Sequence, residues 1–246
     1  MVGIVIPCLN EEKYIPKLLE DIRNQTVKPD HVVIADAGSN DGTLKILKEW
    51  KRKVKFKVSI VKGGLPGFGR NRGARHLNIS DNDFIMFLDA DVSIDSDFIE
   101  RVIYEMKKRN LLCATCFNIP YYRPWEKGYK NKFIRVIDTI IYVCHNFGLI
   151  ISKIIKFPVA TATCIIVRKD VFNKINGFNE SLQCFEDSDF VNRCAKICKY
   201  GVLTNIKVYV STRRFDRKTR LFALKIFFFG FVLRLLGIKN KMRYWD

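Results

Sequence analysis

A chain of 246 residues with 48% hydrophobic and 13% aromatic content can fill the core of one large α/β domain, or of a domain with an appendage, and is excluded from the disordered class. Its 43 Lys and Arg against 25 Asp and Glu leave a formal charge of +18, which draws phosphorylated substrates, anionic lipid or nucleic acid.

The chain opens on an apolar run, Gly3 to Ile6, that predicts a buried strand. Pro7 cuts the run too early for a secretory leader, so reduced thiols in the cytoplasm are expected for the eight cysteines. A helix follows from about Glu11, with Ile15, Leu18, Leu19 and Ile22 on one face. His31 to Ala35 is the second predicted strand. Ser39-Asn40-Asp41-Gly42-Thr43 is a turn that caps a helix carrying Leu44, Leu47 and Trp50. Phe56 to Val61 is the third strand, and Phe84 to Leu88 the fourth. Between them stand a Gly-rich loop and a short helix. Phe98, Val102, Ile103 and Met106 mark the helix after strand four. Repeated strand-helix units predict a mostly parallel sheet with helices on both faces.

The second half is less regular. Cys113 lies in a predicted strand, and Lys132 to Ile155 is a long apolar helix candidate interrupted by Asp138, His145 and Lys153. Thr161 to Val167 and Val202 to Val210 are further strands, with a helix from Asp187 to Cys198. Leu221 to Ile238 is a very apolar helix candidate flanked by basic residues. The Cys113/Cys116 and Cys194/Cys198 spacings are loosely metal-like, yet no histidine completes a zinc set. Cys144 and Cys164, inside apolar runs, are expected as small core residues.

In parallel sheets ligands bind outside the carboxyl ends of the strands. Four segments fall there: Pro7 to Glu12, Asp36 to Gly42, Gly63 to Arg72, and Asp89 to Asp91. Asp89-Ala90-Asp91 is the most telling. Hard divalent ions take one or two carboxylates and fill their remaining positions with water and substrate phosphate. A surface turn is the plainer alternative.

These residues resemble a known family. Ile4 to Glu12 looks like the opening of the family-2 inverting nucleotide-sugar glycosyltransferases, which share the A-type, Rossmann-like fold. Asp36 to Thr43, Gly69 to Ala74, and Asp89-Ala90-Asp91 are similar to that family's next three signatures. Gly177 to Glu180 with Phe185 to Phe190 resembles its catalytic segment. The resemblance implies that Pro7, Leu9 and Glu11 contact the nucleoside, with Glu11 on a ribose hydroxyl, and that Asp36 binds the base. It implies that Arg70 approaches the nucleotide or its phosphates. Asp89 would meet the ribose or the metal, Asp91 would ligate Mg²⁺ or Mn²⁺, and Asp187 would be the general base. Acidic residues favouring a helix N-terminus are the plainer account of Glu186, Asp187 and Asp189.

The family's second signature often carries another acidic residue where Ala37 stands. The Gln-x-x-Arg-Trp element of processive members is absent, which favours transfer of a single sugar. Arg213-Arg214-Phe215 occupies the comparable region, where Arg213 and Arg214 suit a phosphate or a solvated basic turn equally. Residues 1–215 are expected to form the catalytic domain, and 216–246 a basic, apolar helical appendage. Its apolar middle must be buried against the protein's own core, a dimer partner or, as its basic flanks favour, an anionic membrane surface at the inner face of the cell membrane, where a lipid-linked, glycan or protein acceptor would fit. A sugar nucleotidyltransferase is the competing enzyme, but it wants a glycine-rich phosphate loop after the first strand, where Pro7 to Glu12 has no glycine. A basic membrane- or nucleic-acid-binding module is the non-enzymatic alternative.

Overall fold

The computed structural model describes residues 1–126, 129–161, 163–182, 184–213 and 215. The expected C-terminal appendage, 216–246, and Arg214 lie outside them. The described residues form an eight-stranded mixed sheet. Its first half is parallel: β3 (Lys57–Lys62), β2 (His31–Asp36), β1 (Val2–Cys8) and β4 (Phe84–Leu88) lie side by side in that order. β7 (Cys164–Arg168) then pairs antiparallel to β4 and to β6 (Cys113–Tyr121). β6 runs parallel to β8 (Tyr200–Ser211), and β5 (Val92–Ile94) closes the far edge antiparallel to β8. The expected mostly parallel sheet holds in these first four strands and in the β6–β8 pair, while β7 and β5 are its antiparallel members.

Side chains alternate across the sheet, as a pleated strand requires. Ile4, Ile6, Val32, Ile34, Met86 and Leu88 pack on one face, with α1 (Ile15–Arg23), α2 (Thr43–Lys51) and α4 (Phe98–Lys108). Val5, Val33, Ile85 and Phe87 pack on the other, against α3 (Pro66–His76), α6 (Lys169–Lys174) and α7 (Glu186–Ile197). Both faces of the central strands are buried, which is why they are near-continuous apolar runs. On the second face Phe87, Phe178 and Phe190 form one aromatic cluster, with Phe178 and Phe190 stacked at 4.0 Å.

α5 (Lys132–Ile154) crosses the β6–β8 half of the sheet. Leu149 enters the second cluster and Tyr142 packs against the first. Cys113 and Cys116 are both buried, but in opposite clusters. They point to opposite faces of β6, so the metal-like spacing is a strand with two core cysteines. Cys144 is exposed on α5, which corrects its expected place in the core.

Candidate functional site

The loops after β1 and β2 are laced together at the carboxyl edge of the sheet. Asn10 takes a left-handed backbone conformation, φ 54°, and its Oδ1 accepts from the Asn40 amide at 2.9 Å. The Asn10 amide donates to Ser39 Oγ at 2.9 Å, and the Glu11 amide to Thr43 Oγ1 at 2.8 Å. Asp36 ends β2 opposite Cys8. Its Oδ2 accepts from the Gly38 and Ser39 amides at 3.1 and 3.0 Å, and its Oδ1 from the Ser39 hydroxyl at 2.5 Å. The Cys8 thiol also faces Oδ1, at 3.6 Å. Burial, with Asp36 alongside, pushes that thiol far above its ordinary pKa. The Asp36 carboxylate thus shapes its own loop with all the acceptor capacity it has.

α3 carries the next set. Gly63 precedes it, and a Cβ there would lie 2.7 Å from the Ala35 carbonyl oxygen, so only glycine lets the loop approach β2 this closely. Pro66 then begins the helix at its first turn, where the missing N–H costs nothing. Arg70, 2% exposed, donates through Nη2 to Asp89 Oδ1 at 2.8 Å and through Nη1 to Glu186 Oε1 at 2.9 Å. Burial alone would lower the guanidinium pKa. The charges of Asp89, Glu186 and Asp187 outweigh it and hold that pKa above the ordinary arginine value. Removing one partner of such a buried set typically costs about 3–5 kcal/mol, because the other charge is stranded.

Next to Arg70, Asn71 clamps the segment that leads to α7. Its Nδ2 donates to the Phe178 carbonyl at 2.8 Å and its Oδ1 accepts from the Phe178 amide at 2.7 Å. The preceding Gly177 has φ +68°, and a Cβ there would meet Asn71 Oδ1 at 2.3 Å. α7 starts at Glu186 after Phe185, which is held at φ 60°. A bulky residue in that region is strained, and strain of this kind gathers at functional sites. Asp187 follows, half-buried, with Oδ1 accepting from the Ser188 amide at 2.6 Å. Ser188 in turn donates from its hydroxyl to the Ala160 carbonyl at 2.9 Å.

The last arginine comes from beyond β8. Arg213 donates through Nε to Asp91 Oδ2 at 2.9 Å, and through Nη1 and Nη2 to the two Glu11 oxygens at 2.8 and 2.5 Å. Its guanidinium also lies over the Tyr14 ring, 4.2 Å from the centroid. The loop between β6 and α5 is fixed to the same strand end: Glu126 accepts from the Arg123 amide at 3.0 Å and from the Ser211 hydroxyl.

The fold therefore gathers Glu11, Asp89, Asp91 and, through Glu186, Asp187 around two arginines. Pro7 stands at the end of β1, Leu9 is 52% exposed just beyond it, and Asp36 heads the neighbouring loop. Glu186, Asn71 and Tyr14 were not singled out from the sequence. Glu186 hides in the acidic start of α7 and Asn71 inside the Gly69 to Ala74 signature, whereas nothing local marks Tyr14. Asp89 and Asp91 are buried hard oxygen donors, each compensated by an arginine, so positive charge is what this turn accepts. Among the described residues no group of three His, Cys, Asp or Glu is placed to hold a metal ion. Two carboxylates completed by water and diphosphate oxygens fit Mg²⁺ or Mn²⁺ without a third protein ligand.

A model of glycosyl transferase family 2 matches residues 3–176. The 4,4'-diaponeurosporenoate glycosyltransferase of Staphylococcus haemolyticus is 31% identical over 130 residues, 51% of this chain and 34% of that protein. Chondroitin synthase of Escherichia coli is 28% identical over 84% of this chain and 28% of its own length. The O-antigen chain rhamnosyltransferase of Salmonella typhimurium is 30% identical over 76% of this chain and 58% of its own. The chain thus spans from 28% to 58% of these relatives. Among solved structures, Staphylococcus aureus TarS with UDP-GlcNAc has a TM-score of 0.63 at 20% identity, covering 86% of this chain and 58% of that one. The mannosyltransferase PcManGT of Pyrobaculum calidifontis, with GDP-Man and Mn²⁺, has a TM-score of 0.61 at 16% identity, covering 85% and 56%. These structures share the A-type architecture expected from the sequence. With its family model matched over residues 3–176, the chain belongs to glycosyl transferase family 2.

Proposed function

We propose that this chain is a metal-dependent, inverting glycosyltransferase that moves one sugar from a nucleotide-diphosphate donor to an acceptor hydroxyl. The observation that carries this is the Arg70 bridge. One buried guanidinium ties Asp89, at the end of β4, to Glu186, the neighbour of Asp187. A general-base candidate and a pair of carboxylates suited to a diphosphate-bound cation are thereby held at one sheet edge. The nucleotide sugars bound to TarS and PcManGT support the donor class.

In this scheme the exposed Leu9 and neighbouring Pro7 give the base an apolar surface. Glu11 takes a ribose hydroxyl in place of one arm of Arg213. Asp36 accepts an imide N–H of the base in place of the Ser39 hydroxyl. Arg70 and Arg213 supply positive charge on either side of the Asp89–Asp91 turn, beside the donor's phosphates. Asp91, with Asp89, would hold Mg²⁺ or Mn²⁺. A bound ion would neutralise charge on the departing diphosphate. Asp187 takes the acceptor hydroxyl's proton as its oxygen attacks the anomeric carbon from the face opposite the diphosphate. One C–O bond forms as the other breaks, and the configuration inverts. A positioned base of this kind contributes about 10²–10⁴-fold.

A thermal-shift panel of nucleotide sugars with and without Mn²⁺ tests the donor, because only a ligand of the folded state raises its stability. The stabilising donor is then incubated with candidate acceptors and the released nucleotide measured. Release of nucleoside diphosphate is expected. Pyrophosphate formed from a sugar phosphate and a nucleoside triphosphate would instead mark a nucleotidyltransferase. Absence of stabilisation by every donor would leave a basic binding module.

A further inference from the structure

α5 buries polar residues beside apolar ones and is apolar on its outer side. Its buried positions are Asp138, Ile141, Asn146, Leu149 and Ser152, while Phe133, Val136, Ile140, Val143, Phe147, Ile151 and Ile154 are exposed, Phe133 at 73% and Phe147 at 61%. The exposed residues recur every three or four positions and form one stripe along a 23-residue helix. Contiguous apolar surface on this scale marks a docking site.

The buried polar side explains why the helix stays on the domain. Asn146 and Asn118 of β6 exchange two hydrogen bonds, Asn118 N to Asn146 Oδ1 at 2.9 Å and Asn146 Nδ2 to Asn118 O at 2.8 Å. Tyr122 donates to Asp138 at 3.3 Å, and Ser152 Oγ accepts from the Val159 amide at 3.2 Å. By length and composition α5 is long and apolar enough to cross a membrane. Crossing would tear these polar groups from their partners and leave them in hydrocarbon. A helix fastened along one side and apolar along the other is suited to lie flat.

Charge chooses the occupant. From 129 to 159 the sole acidic residue is Asp138, and it is buried. Lys130, Lys132 and Arg135 stand at one end of the stripe, and Lys153 and Lys156 at the other, all exposed. A second copy laid against the stripe would set basic ends against basic ends in either direction. Residues 216–246 carry eight Lys and Arg against two Asp, so they meet the same repulsion. Anionic lipid head groups match both the apolar stripe and its basic ends. Trp125 and Tyr129, exposed just before the helix, are the amphipathic side chains favoured at the interface.

We propose that the outer face of α5 is the surface by which this protein docks on an anionic lipid bilayer. This deepens the expectation of membrane association and moves it from the C-terminal appendage to the catalytic domain. The docked face adjoins the candidate site: Trp125 packs edge-on against Tyr14 at 6.2 Å, and the Arg213 guanidinium lies over the same Tyr14 ring at 4.2 Å. An acceptor presented at the membrane would arrive on the side of the site marked by Tyr14 and Arg213.

The test uses the full chain and no sugar donor, so its failure is separate from failure of the transferase assignment. Cys184→Ser and Cys198→Ser leave Cys144, on α5, as the exposed thiol for an environment-sensitive fluorophore. With phosphatidylcholine–phosphatidylglycerol vesicles the emission is expected to shift to the blue, and with pure phosphatidylcholine to shift little. The double variant Ile140→Asp, Phe147→Asp should keep its melting temperature and bind the anionic vesicles at least about tenfold more weakly, a difference of about 1.4 kcal/mol. Binding with no change at Cys144 would assign the contact to the appendage and overturn the proposal. So would undiminished binding by the double variant, or a wild-type dimer that this variant dissociates.

Discussion

Arg213 reaches back 202 positions to grip both carboxylate oxygens of Glu11, Nη1 to Oε2 at 2.8 Å and Nη2 to Oε1 at 2.5 Å, while its Nε holds Asp91. The two ends of the described chain meet through one planar fork, at the position proposed above for the donor's diphosphate. Lysine offers a point charge and cannot reproduce the paired bonds to Glu11 together with the Nε bond to Asp91. Arg213→Lys is therefore expected to lower kcat/KM for the donor by at least about tenfold, roughly the loss of one charge-assisted bond. Circular dichroism should be unchanged. Unaltered donor kinetics would show that the fork only closes the sheet edge.

Asp187→Asn removes the acceptor of a proton while keeping shape and the Ser188 contact. Donor affinity should stay near wild type, because Arg70 still holds Asp89 and Glu186. Turnover should fall at least about a hundredfold. Calorimetric titration of the donor beside single-turnover rates separates the two effects. A matched fall in affinity and rate would make Asp187 a binding residue.

Much of this fold was legible because it rests on local pattern. Phe84–Leu88 is an unbroken apolar run, and the strand has those bounds. The loops after β1 to β4 declared themselves by polar and glycine residues at strand ends. The partners of those loops were hidden. No periodicity joins Glu11 to Arg213, since their contact depends on β8 returning beside β6 and β5. Val92–Ile94 is a three-residue strand, too short to show alternation. α5 was visible as an apolar helix with polar interruptions. Only the structure shows that Asp138 and Asn146 face inward, which turns an imperfect buried helix into one with an apolar outer side. The Leu221 to Ile238 candidate lies outside the described residues.

Asp91 is 2% exposed and compensated by Arg213. Asp91→Asn keeps a carbonyl oxygen for that arginine, and Glu11 still holds the other arms, so the fold should tolerate it. The carboxylate is what a hard divalent ion requires. Addition of Mn²⁺ with nucleoside diphosphate should raise the melting temperature of the wild type and leave that of the variant unchanged. Chelation by EDTA should abolish sugar transfer, and added Mn²⁺ should restore it. Full activity in EDTA would show that Arg70 and Arg213 alone neutralise the leaving group.

Stability should respond to acid through a residue far from this chemistry. His31 begins β2, beside Lys57 of β3. Its Nδ1 accepts from the Asn78 amide at 3.1 Å, and its Nε2 lies 3.0 Å from Ser59 Oγ. Both contacts are met by the neutral ring with its proton on Nε2. Burial first, then the charges of Lys57, His76 and Lys51, lowers its pKa from 6.5 to about 4. The unfolded chain therefore takes up a proton before the folded one does. The contribution is complete above pH about 6.5 and is lost as pH falls towards about 4, roughly 2 kcal/mol of it by pH 5. Urea unfolding at pH 7 and pH 5 reads the loss directly. His31→Gln, which cannot charge, should lose less than the wild type over that interval by about this amount. The Asn78 amide needs a lone pair at that nitrogen, so an equal pH dependence in the two proteins would mean that the folded ring takes up its second proton over the same pH range as the unfolded one and that Asn78 then bonds elsewhere.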